Sequence, residues 1–169
     1  MAQRISLRDY QRELAERLRL ADSARSASKL GLEAGTESWL VDLAEAGEVI
    51  PVPVITPVPL TRPWFRGVAN VRGNLYSVID LAGFLGTGYC AGGEQARLLV
   101  LGERFRSAAA LLVHRSLGLR NPAELHARTL AGDRPAWLRA EFDDDAGNRW
   151  RELDVGALVR DPDFLSVAL

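Results

Sequence analysis

The sequence predicts a mainly β fold, arranged as small barrels with a few helical additions. Three observations predict it. Short apolar runs recur between glycines and prolines along most of the chain. Pairs of these runs are joined by Gly-, Asn- or Asp-rich turns, the signature of hairpins. Few windows carry the 3.6-residue period of an amphipathic helix. The hairpin-rich stretches lie before and after a glycine-rich segment at 86–94, which suggests one barrel on each side of it.

The clearest helix comes first. Residues 6–20 carry Leu7, Tyr10, Leu14 and Leu18 at steps of three and four, with Ser6 as N-cap and Asp9 three residues on. The small polar stretch 21–28 reads as a linker. The apolar stripe of this helix either docks on its own domain or meets a partner. Strands are expected at 30–34, 39–43 and 49–52. Pro51, Pro53, Pro57 and Pro59 then mark an edge or connector, because proline has no amide to donate to a ladder.

A hairpin follows over 66–71 and 75–79, with Gly73-Asn74 as its turn. Asp80 caps a short helix that ends near Gly86. A second hairpin spans 97–101 and 107–113 through Gly102-Glu103, and 117–119 is a further short strand. Residues 121–135 read mostly as loop. Strands at 137–142 and 149–153 flank Asp143-Asp144-Asp145-Ala146-Gly147-Asn148, a hairpin turn. Asp154 caps a last helix through Val159. Asp161-Pro162 breaks it, and Phe164 and Leu165 pack back.

At 169 residues with 47% hydrophobic composition, the chain can build a packed core. Basic and acidic residues nearly balance, 21 against 22, so no broad positive field exists for nucleic acid. The single cysteine, Cys90, excludes an internal disulfide and fits a reducing compartment. The N-terminus has no apolar signal core, and no run reaches the length of a membrane span. The expectation is a soluble protein without membrane insertion, held at a membrane only through a partner.

Residues able to do chemistry do not converge. His114 and His126 lack a third ligand at metal spacing, and His114 is expected at a strand end with a satisfied ring nitrogen. Asp143-Asp144-Asp145 lacks the alternating ligands and late glutamate of a calcium loop. The glycines at 86, 88, 92 and 93 follow no strand and open no helix, so they make no phosphate cradle. No Gly-x-Ser-x-Gly occurs. No catalytic, cofactor or metal residue is expected, and the chain is not expected to be an enzyme. Arg72 is the remaining polar feature. Glu48 is its expected partner, either to orient the guanidinium for a protein contact or as an ordinary surface pair.

The run Arg66-Gly67-Val68-Ala69-Asn70-Val71-Arg72-Gly73, followed by Val78-Ile79-Asp80-Leu81, resembles the CheW-like family of chemotaxis coupling proteins. Glu48-Val49-Ile50 with Ile55-Thr56-Pro57-Val58-Pro59 is similar to the family's preceding segment. Ala110-Leu111-Leu112-Val113 is similar to a later strand, with His114 where an aspartate is usual. The Trp150–Leu153 strand, the closing Asp161-Pro162-Asp163-Phe164-Leu165 and Pro63-Trp64 resemble the PilI branch, which serves twitching motility by type IV pili. The resemblance divides the chain into an N-terminal helix and linker (1–29), a CheW-like domain (30–160) and a C-terminal tail (161–169).

The resemblance implies two five-stranded SH3-like barrel lobes around a shared hydrophobic core. It implies an adaptor that ties the cytoplasmic tip of a methyl-accepting chemoreceptor to the regulatory domain of a CheA-type histidine kinase, with no cofactor. Such a protein would be cytoplasmic and recruited to the inner membrane by receptor arrays. A groove between the lobes would take the receptor tip, with Leu43, Ala46, Glu48, Val49 and Arg72 in it and Val113 lining the second lobe nearby. Two other readings are an adaptor in a flagellar chemotaxis array and a small barrel that binds oligonucleotides. The second needs basic residues interleaved with exposed aromatics, and the strands here are mostly aliphatic.

Overall fold

The computed structural model describes residues 28–130 and 132–169. The helix expected at 6–20 and the linker to residue 27 lie outside the described residues. The elements in chain order are β1 (Lys29–Ala34), β2 (Glu37–Asp42), β3 (Ala46–Pro51), β4 (Ile55–Thr56), β5 (Phe65–Val71), β6 (Asn74–Asp80), α1 (Leu81–Leu85), β7 (Arg97–Leu101), β8 (Ala109–Val113), β9 (Arg115–Arg120), β10 (Leu125–Ala127), β11 (Leu138–Asp144), β12 (Arg149–Leu153), α2 (Val155–Leu158) and α3 (Pro162–Leu165).

Two six-stranded sheets result, one more strand each than the resemblance implied. The first runs β10-β11-β12-β2-β1-β9 and the second β3-β7-β8-β6-β5-β4. In each sheet the two edge strands are consecutive in sequence. Val52-Pro53-Val54 joins β3 to β4, and residues 121–124 join β9 to β10. Such links reach at most about 14 and 18 Å. A flat six-stranded sheet is about 24 Å wide. Each sheet is therefore curved so that its edge strands approach one another, and the fold is two barrel lobes, mainly β, as in the SH3-like arrangement.

The lobes do not divide at the 86–94 segment. That segment lies inside the second lobe, between α1 and β7. The second lobe is β3 to β8 without interruption, whereas the first combines β1–β2 with β9–β12 through a parallel β12–β2 pairing. Hairpin signals show only sequential antiparallel pairs, so a parallel recruitment of the N-terminal hairpin is invisible to them.

The pairing scheme is the same in both lobes. An antiparallel hairpin (β11–β12, β5–β6) is followed by a parallel pair (β12–β2, β6–β8) and then by two antiparallel pairs. After β6 and after β12 an aspartate caps a short helix: Asp80 accepts from Gly83 N, and Asp154 from Ala157 N. Asp80 N donates to the Trp64 carbonyl and Asp154 N to the Trp137 carbonyl, each at 2.8 Å. Bulges fall at matching places, between Phe65 and Gly67 and between Leu138 and Ala140. The bulged residues, Arg66 and Arg139, both reach the capping aspartate.

β7 and β8 form the wall between the lobes. Leu99, Leu101, Ala109, Leu111 and Val113 join Leu30, Leu32, Trp39 and Val41 of the first sheet in the shared core. Leu98, Val100, Ala110 and Leu112 point the other way, into the second lobe with Ala69, Val71 and Val78. Burial on both faces explains why β8 reads as an unbroken apolar run without alternation.

Several local expectations change. The β5–β6 turn sits one residue earlier than Gly73-Asn74. Its central pair is Arg72-Gly73, with φ of 50° and 89°, and Val71 pairs with Asn74. The β7–β8 connection is longer than a tight turn and holds a 3-10 turn at Glu103–Phe105. The stretch expected as loop contains β10, whose three residues, Leu-His-Ala, carry too little apolar pattern to announce a strand. β11 runs through Asp143 and Asp144 before its turn. Phe164 packs into the shared core, but Leu165 is exposed.

Candidate functional site

Four of the six expected groove residues come from one short stretch of chain. Leu43 lies in the turn after β2, half-buried, and its amide donates to the Ser28 carbonyl at 3.1 Å. Ala46, Glu48 and Val49 belong to β3, an edge strand of the second sheet. Simple alternation would put Ala46 and Glu48 on one face. The register slips between them at Gly47, where a Cβ would lie 2.8 Å from the Val100 carbonyl oxygen. An inserted residue inverts the facing of every residue after it in the strand. Ala46 and Val49 consequently both pack against the shared core, while the next residue, Ile50, packs into the second lobe.

Glu48 pairs with Arg72 at 2.5 Å, as the sequence suggested. The contact joins edge strand β3 to the tip of the β5–β6 hairpin on the far side of the sheet, so it lies across the closure of the second barrel. Arg72 remains 76% exposed at its side chain, so its fork is held at one end and open to solvent. Its backbone is fixed by the turn, where Asn70 Oδ1 accepts from Gly73 N at 2.8 Å.

Val113 does not join this group. It has no exposed surface and belongs to the shared core. Arg97, its partner on β7, pairs with Pro51 at the end of β3 away from Ala46. A side chain with no accessible area cannot contact a partner directly, so Val113 supports the wall between the lobes.

Sequence reading missed the polar residues beside these positions. Glu45, between Leu43 and Ala46, is almost wholly buried. Its Oε1 accepts from Arg139 at 2.7 Å and pairs with Arg104 at 3.3 Å, and its Oε2 accepts from Val155 N at 3.2 Å. Arg139 also reaches Glu152 at 3.2 Å and Asp154 at 3.0 Å, and Lys29 holds Glu152 at 2.9 Å. Burial acts to weaken the basicity of Arg139, but the bonds to Glu45 and Asp154 outweigh it and hold the guanidinium above its ordinary value. Burial likewise opposes ionisation of Asp154, and the Ala157 amide with Arg139 outweighs it, so the carboxyl sits below its ordinary value. An acid between a turn and a strand looks like any surface acid in sequence. Only the fold shows that it is covered.

The other polar candidates have partners within the fold. His114 Nδ1 accepts from Gly35 N at 3.1 Å. His126 is an exposed partner of Asp145 at 2.7 Å. Asp144 closes the β11–β12 turn by accepting from Trp150 Nε1, Asn148 and Ala146. These bonds, led by the one from Trp150, hold its carboxyl at about 2. Cys90 is buried, and burial pushes its thiol above the ordinary value. Among the described residues no cluster of three or more His, Cys, Asp and Glu could hold a metal ion. No helix among them is long and apolar enough to cross a membrane.

The geometry is therefore a half-buried aliphatic strip on an interlobe seam, with a tethered arginine across the barrel closure and a charged network below. The CheW-like domain family matches residues 29–163. Protein PilI of Pseudomonas aeruginosa is 36% identical over 152 residues, covering 88% of this chain and 84% of that protein. Chemotaxis protein CheW of Thermotoga maritima is 32% identical over 101 residues, covering 59% of this chain and 65% of that protein. The solved structure of the scaffolding protein TtCheW from Thermoanaerobacter tengcongensis aligns with a TM-score of 0.62 at 17% identity, over 77% of this chain and 90% of that one, a likeness of fold alone. With both lobes inside the matched span, and a relative more than a third identical across most of both chains, the protein belongs to the CheW-like domain family.

Proposed function

We propose that this protein is a chemosensory adaptor that couples the cytoplasmic tip of a membrane chemoreceptor to the regulatory domain of a CheA-type histidine kinase, in an array that controls type IV pilus twitching. The observation that carries the reading is the arrangement on the second lobe. Arg72 is exposed yet fixed at Glu48, across from an edge strand whose Ala46 and Val49 lie half-covered on the seam. A preset arginine fork beside shallow aliphatic surface suits recognition of a helical protein surface.

The likeness to PilI, greater in identity and coverage than that to the Thermotoga CheW, favours pilus over flagellar output. Pilus genes beside this one would agree with that choice, and flagellar genes would reverse it. The mechanism is geometric: receptor and kinase are held in register, and a receptor shift passes through packed contacts. The protein would work in the cytoplasm, brought to the inner membrane by its receptors.

Copurification of the full chain with a receptor-tip fragment and with the kinase regulatory domain tests the reading. Both should be retained, and Arg72→Ala should weaken receptor retention about tenfold without unfolding the chain. Retention of neither fragment by the native chain would sink it.

A further inference from the structure

The two lobes carry the same clasp, and comparing them isolates one residue. In the second lobe Arg66 ends on Asp80 at 3.1 Å and on the Cys90 carbonyl at 3.2 Å, and every partner is local. In the first lobe Arg139 makes the matching bond to Asp154 and then reaches Glu45, on the segment that crosses from the first sheet to the second. The clasp itself does not need that contact, because the second lobe holds its helix cap without one.

Glu45 touches both lobes at once. Arg139 and the Val155 amide belong to the first lobe, and Arg104 to the β7–β8 connection of the second. The Glu45 backbone carbonyl also accepts from Gly102 N at 3.2 Å, on that same connection. The side chain is about nine-tenths buried, and it shares a network of both signs with Glu152 and Asp154 and with Arg139, Arg104 and Lys29. A buried carboxylate tied at both oxygens cannot swing without leaving an uncompensated charge. Its backbone neighbours on either side lead directly to Leu43 and Ala46.

We propose that Glu45 is a positioning residue that pins the near wall of the groove, Leu43, Ala46 and Val49, to both lobes and so sets the seam a partner meets. This inference rests on the adaptor reading. Glu45 touches no partner itself and acts through the placement of its neighbours.

The test uses the full chain in four forms: native, Glu45→Gln, Glu33→Gln and Leu112→Val. Glu33 pairs with Arg115 on the first sheet, away from the network. Leu112 lies inside the second lobe, and its variant serves as a control for stability loss alone. Glu45→Gln should stay folded and bind the receptor-tip fragment about threefold to thirtyfold more weakly, whereas both controls keep native affinity at equal folded fraction. An equal loss in Leu112→Val, or none in Glu45→Gln, overturns the proposal.

Amide hydrogen exchange separates this failure from failure of the adaptor reading, since it needs no partner. Glu45→Gln should speed exchange at both the Val155 and Gly102 amides, one in each lobe. Faster exchange at Val155 alone, or at neither, means that Glu45 does not link the lobes and overturns the proposal whatever the native chain binds.

Discussion

Arg72 combines two features that seldom go together, an exposed cation and a left-handed backbone with φ of 50°. A side chain other than glycine in that region costs about 1 kcal/mol. Its bond to Glu48 is exposed, so it returns at most ~1 kcal/mol. Arg72→Gly should therefore leave stability within about 1 kcal/mol of native, with relief of strain offsetting the lost pair, while receptor-tip affinity falls. Chemical denaturation and a binding titration on one sample check both halves, and a large loss of stability would make Arg72 a folding residue. Asp144 gives the second prediction at this scale. Its carboxyl is held at about 2, against an ordinary value near ~4 when unfolded. A lowered value contributes stability that is present above pH ~4 and lost as pH falls toward 2. Asp144→Asn should lower the melting temperature at neutral pH, and the gap to native should close between about pH 4 and 2; a gap that persists unchanged at pH 2 contradicts this. At this scale the Arg72–Glu48 pair was legible, because an arginine placed just before a turn glycine calls for an acid on a strand nearby, although β3 is not the adjacent strand. Glu45 and the burial of Val113 were not, since each depends on what the other lobe covers, and the Arg66 and Arg139 bulges were not, since a bulge shows only against its partner strand.

The elements divide by which face carries their meaning. Hairpins and helix caps were legible: Asp80 and Asp154 cap the helices expected of them, and Gly86 ends α1 in a left-handed conformation. These depend on local chemistry that sequence states directly. β10 escaped because three residues with one large apolar side chain gain their strand state only from pairing with β11. The Gly47 bulge escaped for the related reason that parity inversion needs the partner strand. β8 supports a prediction of its own. Leu111 fills the shared core, and truncation to alanine should cost about 2–5 kcal/mol, read by urea denaturation. Because that cavity opens between the lobes, the loss should come with one cooperative transition. Two separated transitions would mean that the lobes fold independently.

The described residues form two copies of one pairing scheme, laced together because the first lobe takes two inner strands, β1 and β2, from the start of the domain. Removing residues 1–42 would strip β1 and β2 from between β12 and β9 and uncover Leu99, Leu101, Leu111 and Val113. That chain should lack cooperative folding by circular dichroism and heat denaturation, and a native-like melt would show that the second lobe stands alone. Strand content and the barrel class were legible in the sequence; the lacing was not, because no local pattern encodes a parallel pair distant in sequence.

Lacing suits the proposed role, since Glu45 and the shared core both contact the two lobes at the seam. The most direct test is mass determination, by analytical ultracentrifugation, of a mixture of the full chain, the receptor-tip fragment and the kinase regulatory domain. If the chain bridges receptor and kinase, one species contains all three and disappears when this chain is left out. A mixture in which the receptor fragment and the kinase domain displace one another from the chain, or in which neither sediments with it, would rule out the bridging role.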